Sequence, residues 1–258
     1  MDQLIEKIVE ILKQAGKIIL ECEIDKDKII QKGTANYVTQ IDLEVQNFMV
    51  DQLRRLVLES NVITEESADN QFTLEKPTWI LDPVDGTTNL IRGYRHSAVS
   101  LAFFDHQKPV LGAVYNPFND EMFTAYVGSG AYLNNKKIQV TKNQDLEDCL
   151  IAFGTTPYQR IQAAKTFHIT EDIFRKCLEI RRSGAAALDI VYVACGRVDG
   201  FYEYSLQPWD YAAGMIILAE AGGLSTTWQG TPLGVLAPSS VLATNGFIHK
   251  KMLDYVNH

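Results

Sequence analysis

The sequence predicts an α+β fold built from two joined halves, and three observations predict it. Two amphipathic helical patterns open the chain, closely spaced β-type segments fill residues 61 to about 140, and strand and helix patterns alternate after Asp145. The chain has 258 residues, 46% of them apolar, which is enough for a real core. Residues 1–142 form the expected N-terminal half, with an antiparallel sheet and most of the candidate site, and residues 143–258 the C-terminal α/β half that closes it. No repeat, low-complexity tract or flexible linker separates them, so the junction should be packed.

The first helix runs from about Leu4 to Leu20, where Leu4, Ile5, Ile8, Val9, Ile11, Leu12 and Ala15 alternate with Glu6, Lys7, Glu10 and Lys13. That mixture is neither a signal peptide nor a membrane span. KGTANYVTQ reads as a polar loop, and a second helix follows from Asp42 to about Leu58, with Val45, Phe48, Met49, Leu53 and Leu56 on one face. The runs NVIT, TWIL, VSLAFF, VLGAVYN, EMFTAYV and AYLNNKKIQV read as strands of one antiparallel sheet covered by the two helices, with Asn134-Asn135 as a hairpin turn. In WILDPVDGTTNLI the apolar strand should end abruptly at Pro83 and Gly86, projecting Asp82 and Asp85 from its end. Later elements are a strand in CLIAFG, a helix around 160 to 178, a helix from Ala185 to Ala194, a strand in GFYEY, a helix from about Asp210 to Ala221 and a final strand in VLATN.

A formal charge of −8, with no block of five like charges, argues against a nucleic-acid surface, because phosphate backbones are bound by clustered Lys and Arg. An anionic substrate would need help from a metal. Cys22, Cys149, Cys177 and Cys195 lie far apart without a CxxC pair, as expected of reduced, mostly buried thiols in a cytoplasmic protein.

Acidic residues stand at the ends of apolar elements rather than on charged faces: Asp42 and Asp210 at helix starts, Glu65-Glu66 after NVIT, and Asp82 and Asp85 after WIL. An N-cap accounts for Asp42 or Asp210 singly. If they converge, their repulsion demands a hard cation, and an all-oxygen set suits Mg²⁺, Mn²⁺ or Ca²⁺ rather than Zn²⁺. Gly86 and the start of TTNLI could offer amides to an anion, so metal and phosphate are expected together. An EF-hand fails, since from Asp82 the glycine falls at loop position 5 and position 12 is Gly93. No GxxxxGK[ST], GxSxG or HExxH occurs, and the five histidines show no ligand spacing.

DPVDGTTN, preceded by ITEES and followed by PWDYAAGMIILAEAGG, resembles the inositol monophosphatase family of magnesium-dependent, lithium-sensitive phosphatases. With the Lys-Gly loop and VTQID the resemblance covers nearly the whole chain, and it implies a layered αβαβα sandwich. It implies that Glu65, Asp82, Asp85 and Asp210, with the Val84 carbonyl, hold two or three Mg²⁺ ions, for which Mn²⁺ could substitute, and that Asp82 bridges two of them. Thr87, bonded to Asp42, would orient and help deprotonate the attacking water, and the Gly86 and Thr87 amides would hold the phosphate. Glu66 is implied as an outer or third-metal ligand, and Lys32 as part of the entry loop.

Thr88 points to the inositol branch, because relatives acting on adenosine 3′,5′-bisphosphate or histidinol phosphate commonly have Lys there. Glu203, seven residues before Asp210, and the Ala186 backbone match the contacts such members make with ring hydroxyls. Asn36, Thr64, Val84 and Ala185 depart from the usual pattern. The expected function is hydrolysis of inositol monophosphate by a cytoplasmic homodimer that binds a small phosphate ester and neither nucleic acid nor membrane. Fructose 1,6-bisphosphate or adenosine 3′,5′-bisphosphate phosphatase activity is the enzymatic alternative, and a metal-dependent regulatory binding protein the non-enzymatic one.

Overall fold

The structure, a computed structural model, describes residues 2–23, 29–34, 36–67, 70 and 73–257. The opening amphipathic pattern forms helix α1 (Asp2–Glu21). The segment read as a polar loop holds a short antiparallel hairpin, β1 (Ile30–Gly33) and β2 (Asn36–Val38), a pairing too short and too polar to register as strand periodicity. Helix α2 (Gln40–Leu56) starts at Thr39, not Asp42: Thr39 is the N-cap and Asp42, three residues on, completes a capping box.

A seven-stranded sheet follows, β3 (Asn61–Thr64), β4 (Thr78–Asp85), β5 (Ala98–Asp105), β6 (Lys108–Asn116), β7 (Glu121–Tyr126), β8 (Gly130–Leu133) and β9 (Lys136–Ile138), paired in that order. It is antiparallel except at its first edge, where β3 pairs parallel to β4. Asn134 and Asn135 both take positive φ, 47° and 64°, as a tight hairpin requires.

β4 also corrects the sequence reading, since it runs through Pro83 to Asp85. Asp82 pairs with Ser100 and Asp85 with Ala98, so β4 carries one extra residue there, and Pro83 sits in the resulting bulge where a missing N–H costs no ladder bond. Gly86, left-handed at φ 87°, then turns the chain into the short helix α3 (Thr87–Ile91).

The second sheet is mixed: β10 (Leu150–Phe153), β11 (Glu179–Arg181), β12 (Gly200–Leu206), β13 (Leu224–Thr226) and β14 (Ser239–Thr244), in the order β11-β10-β12-β14-β13. Its helices are α4 (Ala163–Phe174), shorter than expected and preceded by a 3-10 turn, α5 (Ala186–Ala194), α6 (Pro208–Glu220) and α7 (His249–Val256). β11, β13 and α7 were not anticipated.

Strand alternation sorts the core into layers. Trp79 and Leu81 of β4 face Ile8 and Leu12 of α1 and Val45 and Met49 of α2, whereas Ile80 joins Ile190 of α5, Ile217 of α6 and Phe201 of β12. On the far side of the second sheet, Ile151, Tyr202 and Leu242 pack with Ile169 of α4 and Met252 of α7. The result is the αβαβα sandwich: α1 and α2, the first sheet, α5 and α6, the second sheet, then α4 and α7. Helices α5 and α6 are apolar nearly all round because both faces meet a sheet. Among the described residues no helix is long and apolar enough to cross a membrane. All four cysteines are free thiols, and only Cys149 is fully buried, the other three being partly exposed.

Candidate active site

The bulged end of β4, the N-termini of α3, α5 and α6, the end of β12 and the loop after β10 meet around one cavity of about 350 Å³. Glu65, Asp82, Val84, Asp85, Gly86, Thr87, Thr88, Ala186, Glu203 and Asp210 all line it. Asp42, Glu66 and Lys32 lie just behind or beside it.

Each carboxylate is held by a local device. The Val84 N–H donates to Asp82 Oδ1 at 2.9 Å across the bulge, and the Ala187 N–H at the start of α5 donates to Asp85 Oδ2 at 2.8 Å. Asp210 is the third residue of α6, where its carboxylate accepts the Gln207 N–H at 2.7 Å in a capping box. Like Asp42, it therefore sits inside its helix rather than at the N-cap. Glu65 lies in the turn after β3, with 20% of its side chain exposed.

The electrostatics are those of crowded, desolvated acids. Burial pushes Glu65 up to about 7, with Lys32 holding it back and Glu66, Asp42 and Asp85 raising it further. Burial likewise carries Asp85 up to about 7 against the α5 amides. Asp82 is raised well above the carboxylate range by burial and then by Glu65, Asp85 and Asp210, and Asp210 by burial and then Glu65 and Asp85.

Among the described residues the cavity is thus lined by six carboxylates, Glu65, Asp82, Asp85, Asp189, Glu203 and Asp210, against one cationic side chain, Arg182. Among the described residues no three of these groups stand at ready-made cation-ligand spacing. The donor chemistry nonetheless fits a hard divalent cation, because it offers only oxygen and its charge deficit is what such an ion supplies.

Thr87 Oγ1 donates to Asp42 Oδ1 at 2.9 Å and also lies 3.1 Å from the Val84 carbonyl. Asp42 is buried and accepts, besides, from the backbone and hydroxyl of Thr39. Burial raises it and these bonds lower it. Lys32, on β1, donates to Glu66 at 2.7 and 2.9 Å and stands 3.5 Å from Glu65, so Glu66 is engaged with an ammonium on the rim.

Glu203 Oε1 accepts the Thr156 N–H at 2.7 Å, and burial pushes the carboxyl up to about 7 while Thr156 and Arg182 hold it back; Glu203 in turn raises Asp85 and Asp210. Ala186 begins α5 beside it.

Sequence reasoning missed several lining residues. Asp189 is buried, bonded by the Ser183 hydroxyl at 2.7 Å and raised by burial; its signal was a carboxylate inside the otherwise apolar ALDIVYVA. Thr156, buried with a positive φ of 42°, and Arg182 carried no local signal. Asn89 ties α3 to the connection before α5, donating to His96 O at 2.8 Å and Ser183 O at 3.0 Å.

The sequence model of the inositol monophosphatase family matches residues 1–258. Inositol monophosphatase 2 of Solanum lycopersicum is 38% identical over 264 residues, covering 100% of this chain and 99% of that one. Nus factor SuhB of Escherichia coli strain K12 is 36% identical over 256 residues, covering 98% and 95%. The solved structure of a Thermotoga maritima IMPase superposes with a TM-score of 0.88 at 32% identity, covering 100% of this chain and 97% of that one. Five-layered α+β proteins with an acid-lined cavity are therefore its structural class. The chain belongs to the inositol monophosphatase family.

Proposed function

We propose that the protein hydrolyses a small phosphomonoester, with inositol monophosphate as the preferred substrate, in a Mg²⁺-dependent reaction. The observation that carries this reading is the convergence of Glu65, Asp82, Asp85 and Asp210 in one cavity that Glu203 and Ala186 also line. Those four carboxylates, with the Val84 carbonyl, would hold two or three Mg²⁺ ions, or Mn²⁺ in their place; bound there, the ions supply Lewis acidity, charge screening of the phosphate and a lowered pKa for the nucleophilic water.

The chain's own groups do the remaining work. Thr87 gives its proton to Asp42, so its oxygen presents lone pairs to a proton of the attacking water and aligns it for in-line attack. The Gly86 and Thr87 amides at the turn after β4 fix the phosphate oxygens. Glu203 keeps one carboxylate oxygen beyond its Thr156 bond to accept from a polyol hydroxyl, and Ala186 and Thr88 bound the leaving group. Lys32 and Glu66 order the rim beside Glu65. Phosphate-ester hydrolysis requires on the order of 20 kcal/mol of barrier lowering, which preorganised charge of this density can provide.

The acidic balance of the chain supports a small-molecule partner over nucleic acid. A cytoplasmic, lithium-sensitive homodimer completes the reading. A regulatory role is a second reading, favoured by the 36% identity to a protein named a Nus factor.

Phosphate release from inositol 1-phosphate, with Mg²⁺ and with EDTA, tests the proposal alongside fructose 1,6-bisphosphate and adenosine 3′,5′-bisphosphate. Magnesium-dependent release fastest from the inositol ester is expected. Preference for the nucleotide would overturn the substrate assignment, and release from none would favour the regulatory role.

A further inference from the structure

Among the described residues that line the cavity, Asp189 is the one carboxylate to which the proposed reaction gives no work. It is buried in the first turns of α5, and burial, Asp85 and Glu203 all disfavour its charge, with only Ser183 and Arg182 holding it back. What such an acid supplies must be sought in the bonds it makes.

Helix α5 starts without a capping side chain, because its N-cap is Ala185. Its first amides turn instead to Asp85: the Ala187 N–H donates at 2.8 Å, and the Ala186 and Leu188 amides favour the charged carboxylate as well. The direction in which those amides point therefore sets the angle of Asp85. Ser183 fixes that direction. Its hydroxyl accepts the Ala185 N–H at 3.3 Å and donates to Asp189 Oδ2 at 2.7 Å, so the acid inside the helix orients the serine that steadies the helix start.

The same serine reaches the phosphate turn. Its carbonyl accepts from Asn89 Nδ2 at 3.0 Å, and that nitrogen also donates to the His96 carbonyl at 2.8 Å. A Cβ placed on Gly86 would stand 3.3 Å from both the Ala185 Cβ and the Gly184 carbonyl, so the start of α5 packs directly on the turn after β4. Asp189 thus stands behind two parts of the site through one hydroxyl.

Resting on the phosphomonoesterase reading, we infer that Asp189 is a positioning residue: through Ser183 it holds the α5 amides against Asp85 and, with Asn89, keeps them in register with the Gly86–Thr87 turn. Its acceptor oxygen, rather than its charge, is what the site uses.

The test compares purified full-length protein with Asp189→Ala, Asp189→Asn, Ser183→Ala and the Ser183→Ala/Asp189→Ala double variant, each checked by thermal melting. The readouts are kcat and KM for inositol 1-phosphate under Mg²⁺, and Mg²⁺ affinity by calorimetry, which survives loss of turnover. Misorientation without loss of a substrate contact predicts that Asp189→Ala and Ser183→Ala each lower kcat about tenfold or more, change KM less and weaken Mg²⁺ binding. Asp189→Asn should recover most of both losses, since its carbonyl can still accept the serine hydroxyl. The double variant should lose no more than either single one, because both break the same bond. Should Asp189→Ala not fold, Ser183→Ala and Asp189→Asn carry the same expectations. Asp189→Asn as impaired as Ser183→Ala, additive losses, or folded alanine variants with wild-type kcat and Mg²⁺ affinity would overturn the inference. Wild-type protein that releases no phosphate would sink the phosphatase reading, and the pattern of Mg²⁺ affinities would still decide the role of Asp189.

Discussion

Gly154→Ala offers a sharp test of how packing serves this site. A Cβ at residue 154 would lie 1.9 Å from Glu203 Oε2, against the 3.0 Å below which real contacts are essentially never seen, so the carboxylate must retreat by about 1 Å. Glu203 is only 7% exposed and its Oε1 is anchored 2.7 Å from the Thr156 N–H, so that retreat stretches a buried, charge-assisted hydrogen bond beyond useful length. Such a loss costs about 1.5–3 kcal/mol, offset by a few tenths because alanine restricts the unfolded chain more than glycine. For a chain of this size each kcal/mol moves Tm by about 2–4 °C, so the net cost predicts a fall of about 2–10 °C.

Thermal and urea unfolding of Gly154→Ala, Glu203→Ala and the double variant would measure it. With the carboxylate gone the new methyl has room, so Gly154→Ala should cost less than about 1 kcal/mol in the Glu203→Ala background. In the otherwise wild-type protein, KM for inositol 1-phosphate should rise more than kcat falls. A Tm unchanged by Gly154→Ala, or the same loss in both backgrounds, would refute the steric coupling.

Three further outcomes are expected. Asp85→Asn should abolish turnover and weaken stabilisation of the fold by added Mg²⁺ in a melting assay, yet leave metal-free stability intact, because asparagine can still accept the Ala187 N–H while one charge leaves the acidic cavity; substantial residual activity would contradict the ligand assignment. Thr87→Ala should lower kcat by roughly 10²–10⁴ with a stability cost of about 1 kcal/mol, since Asp42 keeps its bonds from Thr39, and Thr87→Ser should restore much of it; a Thr87→Ala enzyme within threefold of wild type would exclude the proposed role. His249 is buried between Thr226 and Thr244, both at 2.9 Å, and burial lowers its pKa. The unfolded chain binds a proton near pH 6.5 that the fold refuses, so this residue contributes a loss of stability as pH falls below about 6.5 and nothing above. Urea melts of wild type and His249→Gln at pH 7.5 and 5.5 should show the wild-type advantage shrinking at the lower pH, and an advantage that grows there would reverse the sign.

What the sequence by itself determined is local or strongly patterned. Both N-terminal helices, the run of strands from NVIT onward and the α+β class were legible because amphipathic spacing and alternation are written residue by residue, whereas the αβαβα layering followed from the family resemblance. The acidic motifs were legible for the same reason: carboxylates at the ends of apolar elements stand out against their neighbours, and four family motifs in order identified the family that the comparisons show. Weak or non-local elements were not. The β1–β2 hairpin and the three-residue strands β11 and β13 take their stability from pairing partners rather than from their own pattern, and the parallel pairing of β3 with β4 is likewise written in neither strand's own pattern.

Only the tertiary structure decided that Glu65, Asp82, Asp85 and Asp210 meet in one cavity, since their shared repulsion depends on distances that no spacing in the chain encodes. It also brought in Asp189, Thr156 and Arg182, whose neighbours are supplied by other strands and loops, and it showed the space at Gly154 to be filled by Glu203, 49 positions further along the chain. Backbone preference and burial pattern act within a few residues and can be read in order. Convergence of charge is a property of packed layers, and it exists only once α5 and α6 lie between the two sheets.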